Sequence, residues 1–95
     1  MYILNESKTD ILNSEFIERF AIAKKPDAAL IVASYGAERC VTIGRYADVA
    51  EARQVINGLF GALAAGQTYF DMPESLLYAE QITKKDARTK RRGGS

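Results

Sequence analysis

The sequence predicts an α+β fold in which an antiparallel β-meander packs against one long amphipathic helix. Two observations lead to this prediction. Three consecutive segments are separated by turn residues; the first and third alternate apolar and polar residues, and the second, 29–35, is mainly apolar, as expected for strands. The next segment repeats apolar residues every three or four positions, which is typical of a helix with one buried face. A short final strand and a basic C-terminal tail are expected to follow the helix.

Turn residues set the limits of the three predicted strands. The strands run over 15–24, 29–35 and 40–46. Pro26 fixes a backbone angle that suits the first reversal, and Gly36 opens the second, so the strands should follow one another as a meander. The first half of the first strand also fits a helical turn. Two shorter apolar runs, 2–4 and 11–12, are further strand candidates.

The predicted helix spans 48–65 and has signals at both ends. Asp48 is expected to be its N-cap, with Glu51 three residues later as in a capping box, and Gly66 supplies the C-terminal stop. Gly58 and Gly61 lie inside the helix, where each costs about 0.5–1 kcal/mol relative to alanine. We expect close packing at these glycines, either against the meander or against the helix of a second subunit.

The chain after the helix predicts one more strand and then a change of composition. The β-prone run 68–72 ends at Pro73, which cannot donate to a strand ladder, and 75–82 fits a short helix. Beyond Lys84 the only apolar residue is an alanine. We therefore expect a single domain over 1–83 and a flexible tail over 84–95 unless a partner orders it.

Charge is distributed unevenly along the chain. Residues 1–81 carry seven Lys or Arg against eleven Asp or Glu, whereas residues 82–95 carry six against one. An acidic body with a basic tail suggests an arm that docks on nucleic-acid phosphates or on an acidic host protein. A solvated terminus without a partner is the alternative interpretation, because the tail has no interleaved aromatic residues.

Length and composition place the chain among small globular proteins. It has 95 residues, of which 47% are hydrophobic and 26% charged. No apolar run approaches the roughly 18 residues of a membrane helix, and the first residues lack the pattern of a signal peptide. We therefore expect a cytoplasmic protein that does not contact a membrane. Cys40, the single cysteine, is expected to be a buried packing residue in its strand.

The residue inventory argues against catalysis. The chain contains no histidine, which removes the commonest general base and the commonest metal ligand. One cysteine and scattered carboxylates do not suggest a zinc, magnesium or calcium site. Neither a Walker loop nor a dinucleotide-binding glycine motif occurs. We expect a binding protein, not an enzyme, with no cofactor and no metal.

Arginines and aromatic residues remain as candidate ligand-binding groups. Arg45 ends a predicted strand just before the helix, and Arg53 follows within the helix, so the two guanidinium groups are placed to converge on a phosphate. Exposed ion pairs with carboxylates of the helix N-terminus are the alternative. Tyr69 and Phe70 point to opposite faces of the last strand, so one ring is available to stack on a base. The alternative places both rings in the core and on the sheet surface.

One family resemblance bears on function. The run VTIGRYADVAEA at 41–52, a helix continuing through 63 and the run YFDMP at 69–73 resemble the layout of short phage and prophage proteins. In these proteins a β-meander leads through a Gly-x-Tyr turn into one amphipathic helix and then into a strand that ends in Met-Pro. Within that group the chain is similar to the Thoeris anti-defence sponge proteins of phages.

The resemblance implies a function without chemistry. Sponge proteins sequester immune signals of the cyclic ADP-ribose type and, in some members, cyclic oligonucleotides, without cleaving them. It further implies a homo-oligomer with pockets between subunits, in which Arg45, Arg53 and Arg88 bind phosphates and Tyr69 or Phe70 stacks on the ligand. A nucleic-acid or protein interaction module that uses the basic tail, and a structural component of a virion, are the other functions that the sequence leaves open.

Overall fold

The computed structural model describes residues 1–36 and 38–76. Their elements follow in the order β1 (Tyr2–Leu4), β2 (Ile11–Asn13), a 3₁₀ turn (Ser14–Phe16), β3 (Arg19–Lys24), β4 (Ala29–Tyr35), β5 (Arg39–Tyr46), α1 (Val49–Ala64) and β6 (Tyr69–Asp71). The fold class is α+β, as predicted. The predicted tail at 84–95, including Arg88, and most of the helix predicted at 75–82 lie outside the described residues.

The predicted meander is present as the antiparallel sheet β3-β4-β5. The first half of the strand predicted at 15–24 is instead the 3₁₀ turn, because the Asn13 side chain accepts a hydrogen bond from the Glu15 N–H at 3.1 Å and caps it. Apolar side chains of β3 and β4 meet on one face, with Phe20 opposite Ala33. This inner face packs against α1.

A second three-stranded sheet has the order β2-β1-β6. Strands β1 and β2 form an antiparallel hairpin, and β6 lies parallel to β1 with Tyr2 opposite Tyr69. The predicted last strand therefore pairs with the first one. Lys8 in the hairpin turn adopts a left-handed φ of 62°, and its ammonium group binds the Asp71 carboxylate and the Met72 carbonyl. The hairpin turn is thereby attached to the end of β6.

Both predicted signals fix the ends of α1. The Asp48 carboxylate accepts a hydrogen bond from the Glu51 N–H at 2.8 Å, and the Glu51 carboxylate accepts one from the Ala47 N–H at 2.9 Å. Gly66 has a φ of 70°, and its N–H donates to the Leu63 carbonyl at 3.1 Å. Only glycine adopts this conformation without strain, so the helix ends here.

One core joins the two sheets and the helix. Its buried members come from β1, β2, β4, β5, α1 and the segment after β6: Ile3, Leu12, Ala29, Ile31, Ala33, Ile43, Tyr46, Ala52, Leu59 and Met72. Tyr46 is its largest fully buried side chain, and its hydroxyl donates to the Pro73 carbonyl at 2.8 Å. A Cβ atom at Gly44 would lie 2.6 Å from the Tyr46 ring, so this ring occupies the space that a larger residue would need.

The prediction of a buried Cys40 is wrong. Cys40 is exposed, opposite Ser34 on the outer face of the meander. Side chains alternate along a strand, so the arrangement that turns Val41 inward turns Cys40 outward. A bulge in the β4–β5 pairing then lets the consecutive residues Ile43 and Gly44 both become buried.

The two helix glycines have different surroundings. A Cβ atom at Gly58 would lie 3.8 Å from the Phe70 ring, so this glycine faces β6 and not the meander. A Cβ atom at Gly61 would have no atom of the described residues within 4 Å. The packing expected at Gly61 is therefore not found within the part of the chain that the structure describes.

Candidate functional site: an aromatic sheet face

The β2-β1-β6 sheet turns an apolar, ring-bearing face to solvent. We call it the aromatic face and define it by the outward side chains of Tyr2, Leu4, Ile11 and Tyr69. Tyr2 is 59% exposed, Ile11 66% and Tyr69 71%. The strand register places Tyr2 opposite Tyr69 and Leu4 opposite Ile11, so these side chains are neighbours. Monomeric proteins seldom leave contiguous apolar surface without a use.

A shallow cavity opens on the aromatic face. Its volume is about 210 Å³, and it is lined by Tyr2, Leu4, Ile11, Tyr69, Phe70 and Asp71. The lining is mainly apolar and aromatic, with one carboxylate at the rim. Aromatic rings in such a depression are suited to stack on another planar group, because stacking requires only that one face of the ring is accessible.

Tyr69 and Phe70 point to opposite sides of β6, as the alternation predicts. Tyr69 is exposed on the aromatic face, whereas Phe70 is half-buried against the core and next to Gly58. Phe70 also lines a groove of about 280 Å³ beside α1, together with the acidic residues Glu51 and Glu74. Of the two rings, Tyr69 is thus the one exposed to solvent, and Phe70 packs against the core.

A wide depression lies where α1 leads into β6. It has a volume of about 630 Å³ and is lined by residues 65–71. The C-terminal end of a helix carries a partial negative charge that opposes anion binding. Within one subunit this depression therefore does not by itself favour a phosphate group.

The candidate arginines do not line the cavity of the aromatic face, and they lie on opposite sides of the β3-β4-β5 sheet. Arg45 is exposed on the outer face of β5, opposite Leu30, and lines a small cleft of about 100 Å³. Its backbone N–H donates to the Glu6 carboxylate at 2.9 Å. Arg53 is exposed on α1, which packs on the inner face of the same sheet. A single subunit therefore does not bring Arg45 and Arg53 together, and Arg88 is not among the described residues.

The charged groups beside the aromatic face were missed by the sequence analysis. Lys8 and Asp71 form the one ion pair found within residues 1–36 and 38–76. Asp71 has the same parity in β6 as Tyr69, so the pair lies on the outward side of the sheet, at its edge. Tyr2 was missed as well. The alternation of side chains along 2–4 and 69–71 is enough to place Tyr2 and Tyr69 on the outward side of their strands. Neither segment indicates that the two strands pair.

Other kinds of site find no support in this part of the chain. Among the described residues no three His, Cys, Asp or Glu side chains come together as a metal-binding group. No helix in the described ranges is long and apolar enough to cross a membrane. The Glu51 carboxylate accepts a 2.5 Å hydrogen bond from the buried Ser75 hydroxyl, which ties the segment after β6 to the start of α1.

Comparison with protein families, with characterised proteins and with solved structures finds no match for this chain. The aromatic face is therefore the main structural basis for a proposal about function.

Proposed function

We propose that this protein is a non-catalytic binding protein that sequesters a small anionic nucleotide signal, of the cyclic ADP-ribose or cyclic oligonucleotide type, as a phage anti-defence protein would. The observation that supports the proposal is the exposed Tyr69 ring, which lies beside Tyr2 over a shallow apolar cavity. An exposed aromatic pair is a suitable platform for a purine ring, and each stacked base contributes about 1–3 kcal/mol.

The phosphate groups of the ligand require cations from elsewhere in the assembly. Arg45 and Arg53 are neither part of the aromatic face nor among the residues that line its cavity. In the proposal these cations are Arg45, Arg53 or Arg88 of a second subunit. Such a pocket is complete only in the homo-oligomer, and this predicts that ligand binding and assembly depend on each other.

The ligand is expected to leave the protein unchanged. The sequence has no histidine to act as a general base. In the proposal the aromatic rings stack on the ligand and the cations pair with its phosphates, and neither interaction transfers a proton. Denaturing the loaded protein should therefore release the intact ligand, which separates sequestration from hydrolysis.

Native mass spectrometry of the full chain with cyclic dinucleotides, cyclic trinucleotides and cyclic ADP-ribose isomers tests the proposal. We expect a stoichiometric gain of mass, with the ligand recovered intact after denaturation. Tyr69→Ala should weaken binding about 5- to 150-fold, which corresponds to the loss of one stacked base. Phe16→Ala is the matched control, because Phe16 is also 71% exposed but lies outside the aromatic face.

Two results would refute the proposal. One is the absence of a mass gain with every ligand at concentrations well above the protein concentration. The other is equal affinity of the Tyr69→Ala and wild-type proteins, which would show that a ligand binds elsewhere.

A second candidate function follows from the charge distribution. The last 14 residues carry six basic and one acidic side chain, so the chain is also a candidate for a nucleic-acid interaction module. Binding of this kind falls steeply with salt and should disappear when 84–95 is deleted. Ligand capture on the aromatic face should survive moderate salt, so one titration at two salt concentrations separates the two functions.

A further inference from the structure

The free edge of β3 is the longest strand edge left open among the described residues. Strand β3 has six residues and lies at the end of the β3-β4-β5 sheet. The outer strands of the other sheet, β2 and β6, have three residues each. Exposed edges usually contain a proline, a bulge or a central charge that prevents pairing. The β3 sequence RFAIAK has none of these, since both of its charges lie at its ends.

Part of the opposite edge of the same sheet is covered by the chain itself. The Glu6 N–H donates to the Ile43 carbonyl at 2.8 Å, and the Arg45 N–H donates to the Glu6 carboxylate. The β1–β2 turn thus occupies the outer edge of β5 at 43–45, which leaves a shorter open stretch, 39–42, than the six residues of β3. The contrast singles out β3 as the edge at which the sheet can grow.

An apolar surface on α1 continues the open edge. Phe60 is 71% exposed, and a cavity of about 210 Å³ joins Phe20 of β3 to Ile56, Leu59, Phe60 and Leu63 of α1. On the other side of the helix, Gly58 faces Phe70 of β6, whose ring would lie 3.8 Å from a Cβ atom at this position. The exposed apolar side of α1 therefore borders β3, and a partner that adds to the strand would also cover Phe60.

We propose that β3 pairs antiparallel with β3 of a second copy of this chain, which forms a continuous six-stranded sheet across a twofold axis. Residues directly opposite in a sheet point to the same face. Phe20 and Ile22 both face α1. The α1-covered faces of the two copies therefore form one continuous face only in registers in which the residue on the twofold axis lies opposite itself. Ala21 and Ile22 are the two candidate centres.

Charge selects between the two registers. With Ala21 on the twofold axis, Glu18 lies opposite Lys24 of the partner subunit, so two attractive pairs form. With Ile22 on the axis, Arg19 lies opposite Lys25 of the partner subunit, so two repulsive pairs form. Opposite charges stabilise directly facing positions and like charges destabilise them. The strand is therefore complementary to itself when Ala21 is at the centre, and this property points to a second copy as the partner.

Disulfide trapping tests the register. In a Cys40→Ser background, Ala21→Cys places the two thiols on the axis, with Cα atoms about 4.5–5.5 Å apart, within the range of a disulfide. Ala23→Cys is the matched control, since Ala23 lies on the same face of β3 as Ala21 and is half-buried like it. Its copies would be roughly 13 Å apart along the strands. We expect Ala21→Cys to cross-link on mild oxidation and Ala23→Cys to stay uncross-linked.

Sedimentation equilibrium of the full chain tests the interface without oxidation. Glu18→Lys and Lys24→Glu should each weaken dimerisation about tenfold, and the double charge swap should restore it. Phe60→Glu should give a monomer with unchanged circular dichroism, whereas Leu76→Glu, on an exposed residue that lines the groove on the β6 side of α1, should not alter the dimer. Glu18 and Lys24 are exposed, so these substitutions leave the fold intact.

An oligomer that does not use β3 overturns this inference alone, whereas a monomer overturns it together with the proposed pocket between subunits. A wild-type chain that is monomeric at all concentrations, or an oligomer that both charge variants and Phe60→Glu leave unaffected, excludes the β3 interface. Neither measurement uses a nucleotide. A dimer that forms through β3 but binds none of the ligands would refute the proposed function alone.

Discussion

Substituting Gly44 with alanine should destabilise the protein strongly, although the change adds one methyl group. The new Cβ atom would lie 2.6 Å from Cε2 and 2.8 Å from the hydroxyl of Tyr46, well inside van der Waals contact. Tyr46 is fully buried and its hydroxyl is bonded to the Pro73 carbonyl, so the ring cannot move without losing that bond. Overpacking costs about 1–3 kcal/mol, and the lost hydrogen bond adds about 1 kcal/mol.

The expected loss is therefore about 2–4 kcal/mol, which corresponds to a fall in Tm of roughly 10–25 °C for a domain of this size. Urea and thermal unfolding followed by circular dichroism measure it. Gly61→Ala is the control, because no atom of the described residues lies within 4 Å of that position. It should stabilise the helix by about 0.5–1 kcal/mol. A Gly44→Ala protein within about 0.5 kcal/mol of wild type would show that the Tyr46 ring is not held as described.

Two further predictions concern the helix N-cap and the buried phenol. Asp48→Ala should cost about 1 kcal/mol in urea unfolding, because the Glu51 N–H loses its acceptor, whereas Asp48→Asn should restore most of the stability. Burial, aided by the charges of Glu6 and Glu51, holds the pKa of the Tyr46 phenol above its ordinary value of about 10. Below pH 10 this group stays protonated in both states and its contribution is complete. Above pH 10 the unfolded state loses the proton first, so stability should fall by up to about 1.4 kcal/mol per pH unit. Unfolding of wild type and Tyr46→Phe at pH 8 and pH 10.5 measures this slope, and equal slopes would contradict it.

Local signals explain what the sequence predicted correctly. The helix predicted at 48–65 is observed as Val49–Ala64, because its periodicity, its aspartate cap and its terminal glycine are all contained in one segment. The meander was predictable for the same reason, since Pro26 and Gly36 mark reversals between neighbouring strands. The β1–β2 hairpin was visible only as two short apolar runs.

The features that the sequence did not predict depend on contacts between distant residues. Nothing in the run 69–71 indicates that it lies parallel to 2–4, and the aromatic face exists only because of that pairing. The expected convergence of Arg45 and Arg53 rested on their closeness in sequence. It ignored that β5 turns Arg45 away from the face on which α1 packs.

The parallel pairing of β1 with β6 also constrains the order in which the chain folds. Tyr2 meets Tyr69, so closing this loop costs about 4 kcal/mol of chain entropy before any side chain packs. The meander and α1 close only short loops and can form first. Until 69–71 is available, β1 pairs only with β2, and the edge of β1 that later binds β6 stays open. Folding of the β2-β1-β6 sheet is therefore the late step, and the aromatic face is complete only when the rest of the domain has formed.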